Sequence, residues 1–173
     1  LLTAFNSNGF TVGNNGTVNG SGAACVAWTF RKAPKFFDFG TFTAGSSTNR
    51  RITHALGVAP GVVFVKCLNN AENWQVYHRS LSGTAIDKRL LLNSTAAEGS
   101  VSGAWGTSAP TSTDFGIGEA AILNSGNSYV WYAFAHDTGT DGLIQCVSVT
   151  GTATVNLGWE PQAFLLKEIT TGG

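Results

Sequence analysis

The chain of 173 residues is long enough for one ordinary domain or two small ones, and 43% of its residues are hydrophobic, so it can bury a real core. Only 12% are charged, and ten Lys and Arg balance ten Asp and Glu. This neutrality argues against a nucleic-acid-binding surface and against a polybasic membrane patch, because both need an excess of basic side chains. The 11 Phe and 5 Trp exclude an intrinsically disordered chain.

Short apolar segments bounded by turn residues predict an all-β fold. The segments are rich in Val, Phe, Trp, Tyr and Thr, and no long window keeps a helical period. In chain order they are ACVAWTF (24–30), FFDFGTF (36–42), GVVFVKC (61–67), WQVYH (74–78), RLLLN (89–93), YVWYAF (129–134), LIQCVSV (143–149) and AFLLKEI (163–169). We expect these strands to form an antiparallel β-sandwich, jelly-roll or lectin-like, rather than a closed barrel.

A phrase that occurs twice predicts an internal duplication. LGVAPGVVFVK (56–66) and LGWEPQAFLLK (157–167) both read L-G-x-x-P, an apolar run and a lysine, and further matches precede each phrase in the same order. We predict one module over residues 1–173. It consists of two related halves, at about residues 10–67 and 115–168, and an unpaired segment, 68–114, between them. Since the second copy stops where the first continues, we expect the chain to be a fragment of a longer protein.

The repeated phrase has the features of a strand entry. Gly57 and Gly158 can adopt positive φ, which lets the chain turn tightly. Pro60 and Pro161 cannot donate a backbone hydrogen bond, so they belong at the first position of a strand or at a sheet edge. The lysine that closes each phrase then ends the strand at the water boundary. The phrase therefore predicts a strand and not a catalytic site.

We find no pattern that indicates catalysis, and we predict no catalytic residues, no metal and no cofactor. GIGEAA (116–121) has the letters of a dinucleotide-binding motif, but no helix is predicted after it. HDTGTDG (136–142) lacks the intermediate and final ligands of a calcium loop, so we predict a turn there. The three cysteines, Cys25, Cys67 and Cys146, lie in or beside apolar runs without a C-x-x-C spacing, which predicts buried free thiols.

The segment NWQVYHRSL (73–81) is the best candidate for ligand binding. Its strand period places Trp74, Val76 and His78 on one face and Gln75, Tyr77 and Arg79 on the other. One interpretation is a row of aromatic and hydrogen-bonding groups that faces a sugar or a protein partner. The other, which we favour, is a strand whose Trp and Val fill the core while Tyr and Arg pack at its rim.

Trp105 in GAWGTS is a further candidate, either as an exposed contact or as a loop plug, because glycines lie close to it on both sides. The predicted ligand-binding residues are therefore Trp74, Tyr77, His78, Arg79 and Trp105.

The motifs FNSNGFTVG, LGVAPGVVFVK, NWQVYHRSL and YVWYAFAHDTGTDGLIQC resemble a domain of uncharacterised function that recurs in structural proteins of tailed bacteriophages. The W-x-V-Y-H-R and F-A-H-D segments are the most specific parts of this resemblance. It implies a virion component, such as a tail fibre, a spike or a head-surface protein, located on the exterior of the particle. It implies no catalytic residues.

We therefore expect a non-enzymatic virion structural module that contributes to particle assembly or host attachment. Its expected partners are other virion proteins and further copies of itself, the latter by analogy with phage fibres. Neither nucleic acid nor a membrane is an expected partner. The first alternative is a lectin-like carbohydrate-binding module with a host surface glycan as its ligand, and the second is a polysaccharide hydrolase.

Overall fold

The computed structural model describes residues 2–16 and 19–170, and the chain forms two compact units, Leu1–Phe30 and Arg31–Gly173. In the first unit, strands β1 (Leu2–Asn6) and β2 (Gly9–Val12) form an antiparallel hairpin. Phe5 and Phe10 are directly opposite each other across this hairpin, and both are exposed. The segment 24–30 contains no strand, so the strand predicted for ACVAWTF was wrong.

The strands of the second unit are β3 (Phe37–Thr43), β4 (Arg50–Thr53), β5 (Pro60–Cys67), β6 (Gln75–His78), β7 (Lys88–Leu91), β8 (Gly99–Ser100), β9 (Asp114–Ile117) and β10 (Ser128–Ala135). Six of them form an antiparallel sheet with the order β3-β10-β5-β6-β7-β8, and the other two form an antiparallel ladder, β4-β9. Helical structure is limited to a 3₁₀ turn at Ala85–Asp87 and the short helix α1 (Glu119–Ile122) among the described residues. The prediction of an antiparallel all-β protein is confirmed.

The core of the second unit lies between one face of the large sheet and the β4-β9 ladder. Successive side chains of β5 and β10 point to opposite faces of the sheet, and Val63, Val65 and Ala133 are buried on this face. Phe115 of the ladder contacts Trp131 of β10 edge-on, with ring centroids 5.4 Å apart. We call this side of the large sheet the core face and the opposite side the outer face.

Two predicted strands of the second unit are absent. Neither LIQCVSV (143–149) nor AFLLKEI (163–169) contains an assigned strand, and the side chain of Phe164 is 86% exposed. The physical reason is that β propensity measures how well a residue fits a pleated, half-buried surface, and a segment without a partner strand has no such surface. By contrast β3, β5, β6, β7 and β10 coincide with predicted segments.

The two copies of the repeated phrase begin with the same backbone conformation, but only the first copy forms a strand. Gly57 and Gly158 both adopt the predicted left-handed conformation, with φ of 72° and 79°. The lysine that closes each phrase donates to a backbone carbonyl. Pro60 is the first residue of β5, as predicted, whereas residues 162–170, which follow Pro161, contain no strand. The duplication stays a prediction.

Two of the three thiols follow the sequence prediction. Cys67 and Cys146 are buried, but Cys25 is exposed, so its predicted burial was wrong.

Within the part of the chain that the structure describes, no helix has the length and hydrophobicity needed to cross a bilayer.

Candidate functional site

Two of the predicted ligand-binding residues lie on the core face. Tyr77 is buried, and its ring meets that of Trp105 edge-on at a centroid distance of 5.7 Å. Trp105 is 1% exposed, and its indole N–H donates to the backbone carbonyl of Lys88 at 2.9 Å. Trp105 is therefore a plug in the core and not an exposed contact, and Tyr77 lies in the core and not at its rim.

Trp74 lies on the outer face and begins a row of aromatic rings. Its ring stacks beside that of Tyr132, with centroids 6.2 Å apart, and Tyr132 stacks beside Phe37 at the same centroid distance. Phe39 extends the row 6.0 Å from Phe37 and is 41% exposed. We call these four residues the aromatic row. Sequence reasoning nominated only Trp74, although the alternation of aromatic residues in FFDFGTF and YVWYAF was a usable signal.

The two most specific sequence motifs meet at one end of the large sheet. His78 is the last residue of β6, and His136 follows directly after β10. Between them lies Gly61 of β5, whose carbonyl accepts the Arg79 backbone N–H at 2.8 Å. A Cβ on Gly61 would lie 2.9 Å from the Cβ of His136, so His136 packs directly on this glycine. We call His78, Arg79 and His136 the basic cluster; the strand period places the His78 side chain on the outer face, with Trp74, and Arg79 on the core face, with Tyr77.

Backbone contacts orient both histidines of the basic cluster. The Nδ1 atom of His136 accepts the Cys146 N–H at 3.0 Å, and that of His78 accepts the Ser80 N–H at 3.2 Å. Each neutral ring therefore carries its proton on Nε2. Burial, and then the positive charge of Arg79, holds the pKa of both histidines below the usual value. At neutral pH the two rings are thus uncharged N–H donors.

Cys146 lies beneath His136 and is not poised for nucleophilic chemistry. Its Sγ atom is buried against the position that a Gly61 side chain would take and is 3.7 Å from the carbonyl oxygen of Ala135. Burial raises the pKa of this thiol to about 11. The group therefore stays a protonated thiol near neutral pH, and a thiolate is the form that attacks.

The carboxylates form mainly structural contacts. Five of them make ion pairs with lysine or arginine, namely Asp38, Glu98, Asp114, Glu119 and Asp137. Glu72 accepts hydrogen bonds from Tyr129 and two asparagines. None of these contacts supplies the exposed acid–base pair that glycoside hydrolysis requires. The hydrolase alternative stays a prediction.

The two weak motifs have ordinary structures. In HDTGTDG, the Asp137 carboxylate accepts the Gly139 N–H at 3.0 Å and Gly142 donates to the Gly139 carbonyl at 2.9 Å, so the predicted turn is confirmed. GIGEAA leads into α1, which has only four residues. Among residues 2–16 and 19–170, no group of His, Cys, Asp and Glu is arranged to hold a metal.

The chain belongs to a family whose function is unknown. The chain is a member of the family described as "Domain of unknown function (DUF7483)", whose model matches residues 1–173. No curated protein and no solved structure matches the chain.

Proposed function

We propose that the protein is a non-enzymatic structural module on the exterior of a tailed-bacteriophage particle, in a tail fibre, a spike or a head decoration. There it contributes to assembly of the particle or to host attachment. The resemblance of its motifs to phage structural proteins supports this proposal. The observation that carries it is the surface of residues 2–16 and 19–30, which is suited to contacts with other protein chains.

The first unit exposes apolar side chains and has no charged side chains that would repel another protein chain. Residues 1–30 contain no Lys, Arg, Asp or Glu, while Phe5 and Trp28 are 84% and 89% exposed. An isolated two-stranded hairpin is marginally stable in water, and the edges of this hairpin lack the lysines and prolines that discourage pairing. Packing such a surface against another chain buries apolar area without desolvating an ion. We therefore propose that copies of the chain associate through this unit.

Measuring the mass of the chain in solution by light scattering tests this association. We expect a homo-oligomer that dissociates when Phe5→Ser and Trp28→Ser are combined, because both changes place hydroxyls in the packed surface. Phe164→Ser is the matched control, since it removes an equally exposed aromatic side chain from the second unit. A wild-type chain that stays monomeric at high concentration contradicts the proposal.

The place of the protein in a phage particle needs a separate experiment. Electron microscopy of purified particles labelled with an antibody against this domain is expected to show the label on the tail or on the head surface. Particles that lack the protein would refute the proposed virion role, whatever its oligomeric state.

The aromatic row favours a second candidate function, a lectin-like carbohydrate-binding module. Sugar rings stack on flat aromatic side chains, and Phe39 and Trp74 present such groups on the outer face. Binding to a glycan array is expected to fall when either residue is changed to Ala, and to persist in Phe164→Ala. If the wild-type chain binds no glycan in the array, the carbohydrate-binding function is contradicted.

We also propose that the module is a β-sandwich with an internal duplication. The packing of the β4-β9 ladder on the core face supports the sandwich, and the shared left-handed conformation of Gly57 and Gly158 supports the duplication. Gly57→Ala and Gly158→Ala are each expected to cost about 1 kcal/mol in free energy of unfolding, because alanine is strained at positive φ. A variant Gly158→Ala that is as stable as the wild type would argue against equivalent roles.

A further inference from the structure

We infer that residues 25–30 of one copy pair with residues 163–168 of a second copy, in the antiparallel register in which β10 pairs with β5. We call this pairing the intermolecular ladder. It rests on the proposed internal duplication, and it deepens the proposed association of copies by naming the surface that the first unit contacts. That surface is an exposed apolar segment in the second unit of another copy.

Both segments are apolar runs that form no strand in the single chain. In the first, the Trp28 side chain is 89% exposed, and in the second, Leu165 and Leu166 are 73% and 71% exposed. Neither segment contains proline, so every residue has a backbone N–H that can enter a ladder. Because these large side chains are exposed in the single chain, the strand that covers them comes from another copy.

The internal repeat aligns the two segments with two strands that pair with each other. VAWTF (26–30) aligns with VWYAF (130–134) of β10, and AFLLK (163–167) aligns with VVFVK (62–66) of β5. Strands β10 and β5 are antiparallel neighbours at the centre of the large sheet. The two segments that form no strand are therefore the counterparts of two strands that complete each other.

The register of β10 and β5 specifies how the segments meet. Tyr132 is opposite Phe64 in that pair of strands. The corresponding residues are Trp28 and Leu165, so the intermolecular ladder places one opposite the other. Both side chains are largely exposed in the single chain, and their contact removes apolar area from water.

The hydrogen bonds of β5 show which N–H groups the intermolecular ladder uses. The N–H of Leu68, directly after β5, donates to the carbonyl of Ser128 in β10 at 2.8 Å. Since bonding alternates along an antiparallel strand, the even-numbered residues of β5 bond to β10 and the odd-numbered ones to β6. Leu165 corresponds to Phe64, so its N–H points to the partner segment, and the N–H of Leu166 points away from it.

Two neighbouring proline variants of the whole chain test the intermolecular ladder by light scattering. Leu165→Pro removes an N–H that the ladder uses and is expected to weaken association at least about tenfold. Leu166→Pro is the matched control, because this leucine is equally exposed and its N–H points away, where a strand tolerates proline. Neither residue lies in a strand of the single chain, so both variants should unfold at the wild-type temperature.

The intermolecular ladder is compatible with Phe164→Ser as a control for association. Phe164 corresponds to Val63, which is opposite Ala133 of β10, and Ala133 corresponds to Thr29. Phe164→Ser therefore places a hydroxyl opposite that of Thr29, and such pairs support a ladder. The variant is expected to associate as the wild type does.

A disulfide tests both the register and the identity of the partner. Cys25 corresponds to Tyr129, which is opposite Cys67, so the repeat places Cys25 opposite Glu168. The Cα atoms of such a non-hydrogen-bonded pair are about 4.5 Å apart, within the range of disulfides. With oxidised glutathione, Glu168→Cys is expected to give disulfide-linked dimers on a non-reducing gel. Glu160→Cys, at another exposed glutamate, is the matched control and should give none.

Three outcomes overturn the inference: equal loss of association in the two proline variants, no disulfide-linked dimer in Glu168→Cys, or a disulfide confined to the monomer. An oligomer that dissociates when Phe5 and Trp28 are changed, but not in Leu165→Pro, would keep the proposed association through the first unit and refute the intermolecular ladder. A ladder found in a protein that is absent from phage particles would refute the proposed virion role and leave the ladder standing.

Discussion

Tyr129 of β10 donates its hydroxyl hydrogen to the carboxylate of Glu72 across 2.7 Å, and this bond ties the loop after β5 to the neighbouring strand. The side chains of Asn124 and Asn127 donate to the same carboxylate at 3.0 and 2.7 Å. Burial, together with the negative charge of Glu72, raises the pKa of Tyr129 to about 12. The hydroxyl of Tyr129 therefore keeps its proton, and stays a donor, near neutral pH.

We expect Tyr129→Phe to lower the free energy of unfolding by about 1–3 kcal/mol, because the change removes a donor from Glu72 and an acceptor from the Asn124 N–H. Chemical denaturation measures this cost. Tyr132→Phe is the matched control, since its hydroxyl makes no hydrogen bond among the described residues. Equal stability of the two variants would mean that the Glu72 contact contributes little.

The same network predicts a dependence of stability on acid. Burial by itself raises the pKa of Glu72, but the hydrogen bonds from Asn124, Tyr129 and Asn127 together hold it below the usual value. A carboxyl whose pKa is lower in the folded state contributes stability above its unfolded pKa, and this contribution is lost as the pH falls through the folded pKa. The stability contributed by Glu72 should therefore decline as the pH falls below 4.5, the usual pKa of a glutamate.

Glu72→Gln tests the origin of this decline. The variant is expected to be less stable at neutral pH and to lose less stability on acidification, because it has one fewer carboxylate to protonate. Thermal unfolding at a series of pH values measures both effects. Glu160→Gln, a change at an exposed position, should keep the wild-type pH profile. A profile that is unchanged in Glu72→Gln would contradict the assignment.

Trp105 is expected to matter for stability and not directly for ligand contact. Trp105→Ala should cost about 3–5 kcal/mol in free energy of unfolding, since it leaves a cavity beside Tyr77 and removes the hydrogen bond to Lys88. Phe164→Ala removes an exposed aromatic ring and should change the stability by less than about 0.5 kcal/mol. Urea denaturation distinguishes the two, and a stable Trp105→Ala would show that the core is packed differently.

Gly61 is expected to reject any side chain. The Cβ of alanine would lie 2.6 Å from the Sγ atom of Cys146, so Gly61→Ala should destabilise the fold by about 1–3 kcal/mol through overpacking. In Gly99→Ala the nearest atom outside the adjacent residues would be 3.8 Å away, an ordinary contact, and the cost should be smaller. If alanine is equally tolerated at both positions, the close packing of His136 and Cys146 on β5 is in error.

The strands formed by long apolar runs at the centre of the sheet could be predicted from the sequence. Whether the other apolar segments form strands depends on a partner strand, which the sequence does not show. The runs that form β5 and β10 are central in the large sheet, where apolar side chains are buried, so a hydrophobic sequence suits that position. The segments 24–30, 143–149 and 163–169 carry the same residue types, yet no neighbouring strand pairs with them. The strands β1, β2, β4, β8 and β9 were missed because they are short and largely lack the apolar alternation that marks a strand.

The candidate site was predicted in part. His78 and Arg79 belong to the segment chosen from the sequence, whereas His136 lies 57 positions beyond Arg79, in a motif interpreted only as a turn. Tyr77 and Trp105 were nominated with them but face the core. A local pattern places neighbouring residues on alternate faces, but it does not say which face a second layer will cover.

The sequence by itself determined the antiparallel all-β class and the glycine-proline entry into β5, because alternation, turn residues and proline geometry act over a few positions of the chain. The tertiary structure decided the meaning of the repeated phrase. Its first copy has Gly61 where the second has Gln162, and only the first becomes a strand, against which His136 and Cys146 pack. Contacts between distant segments set this difference, since burial depends on which strands pair.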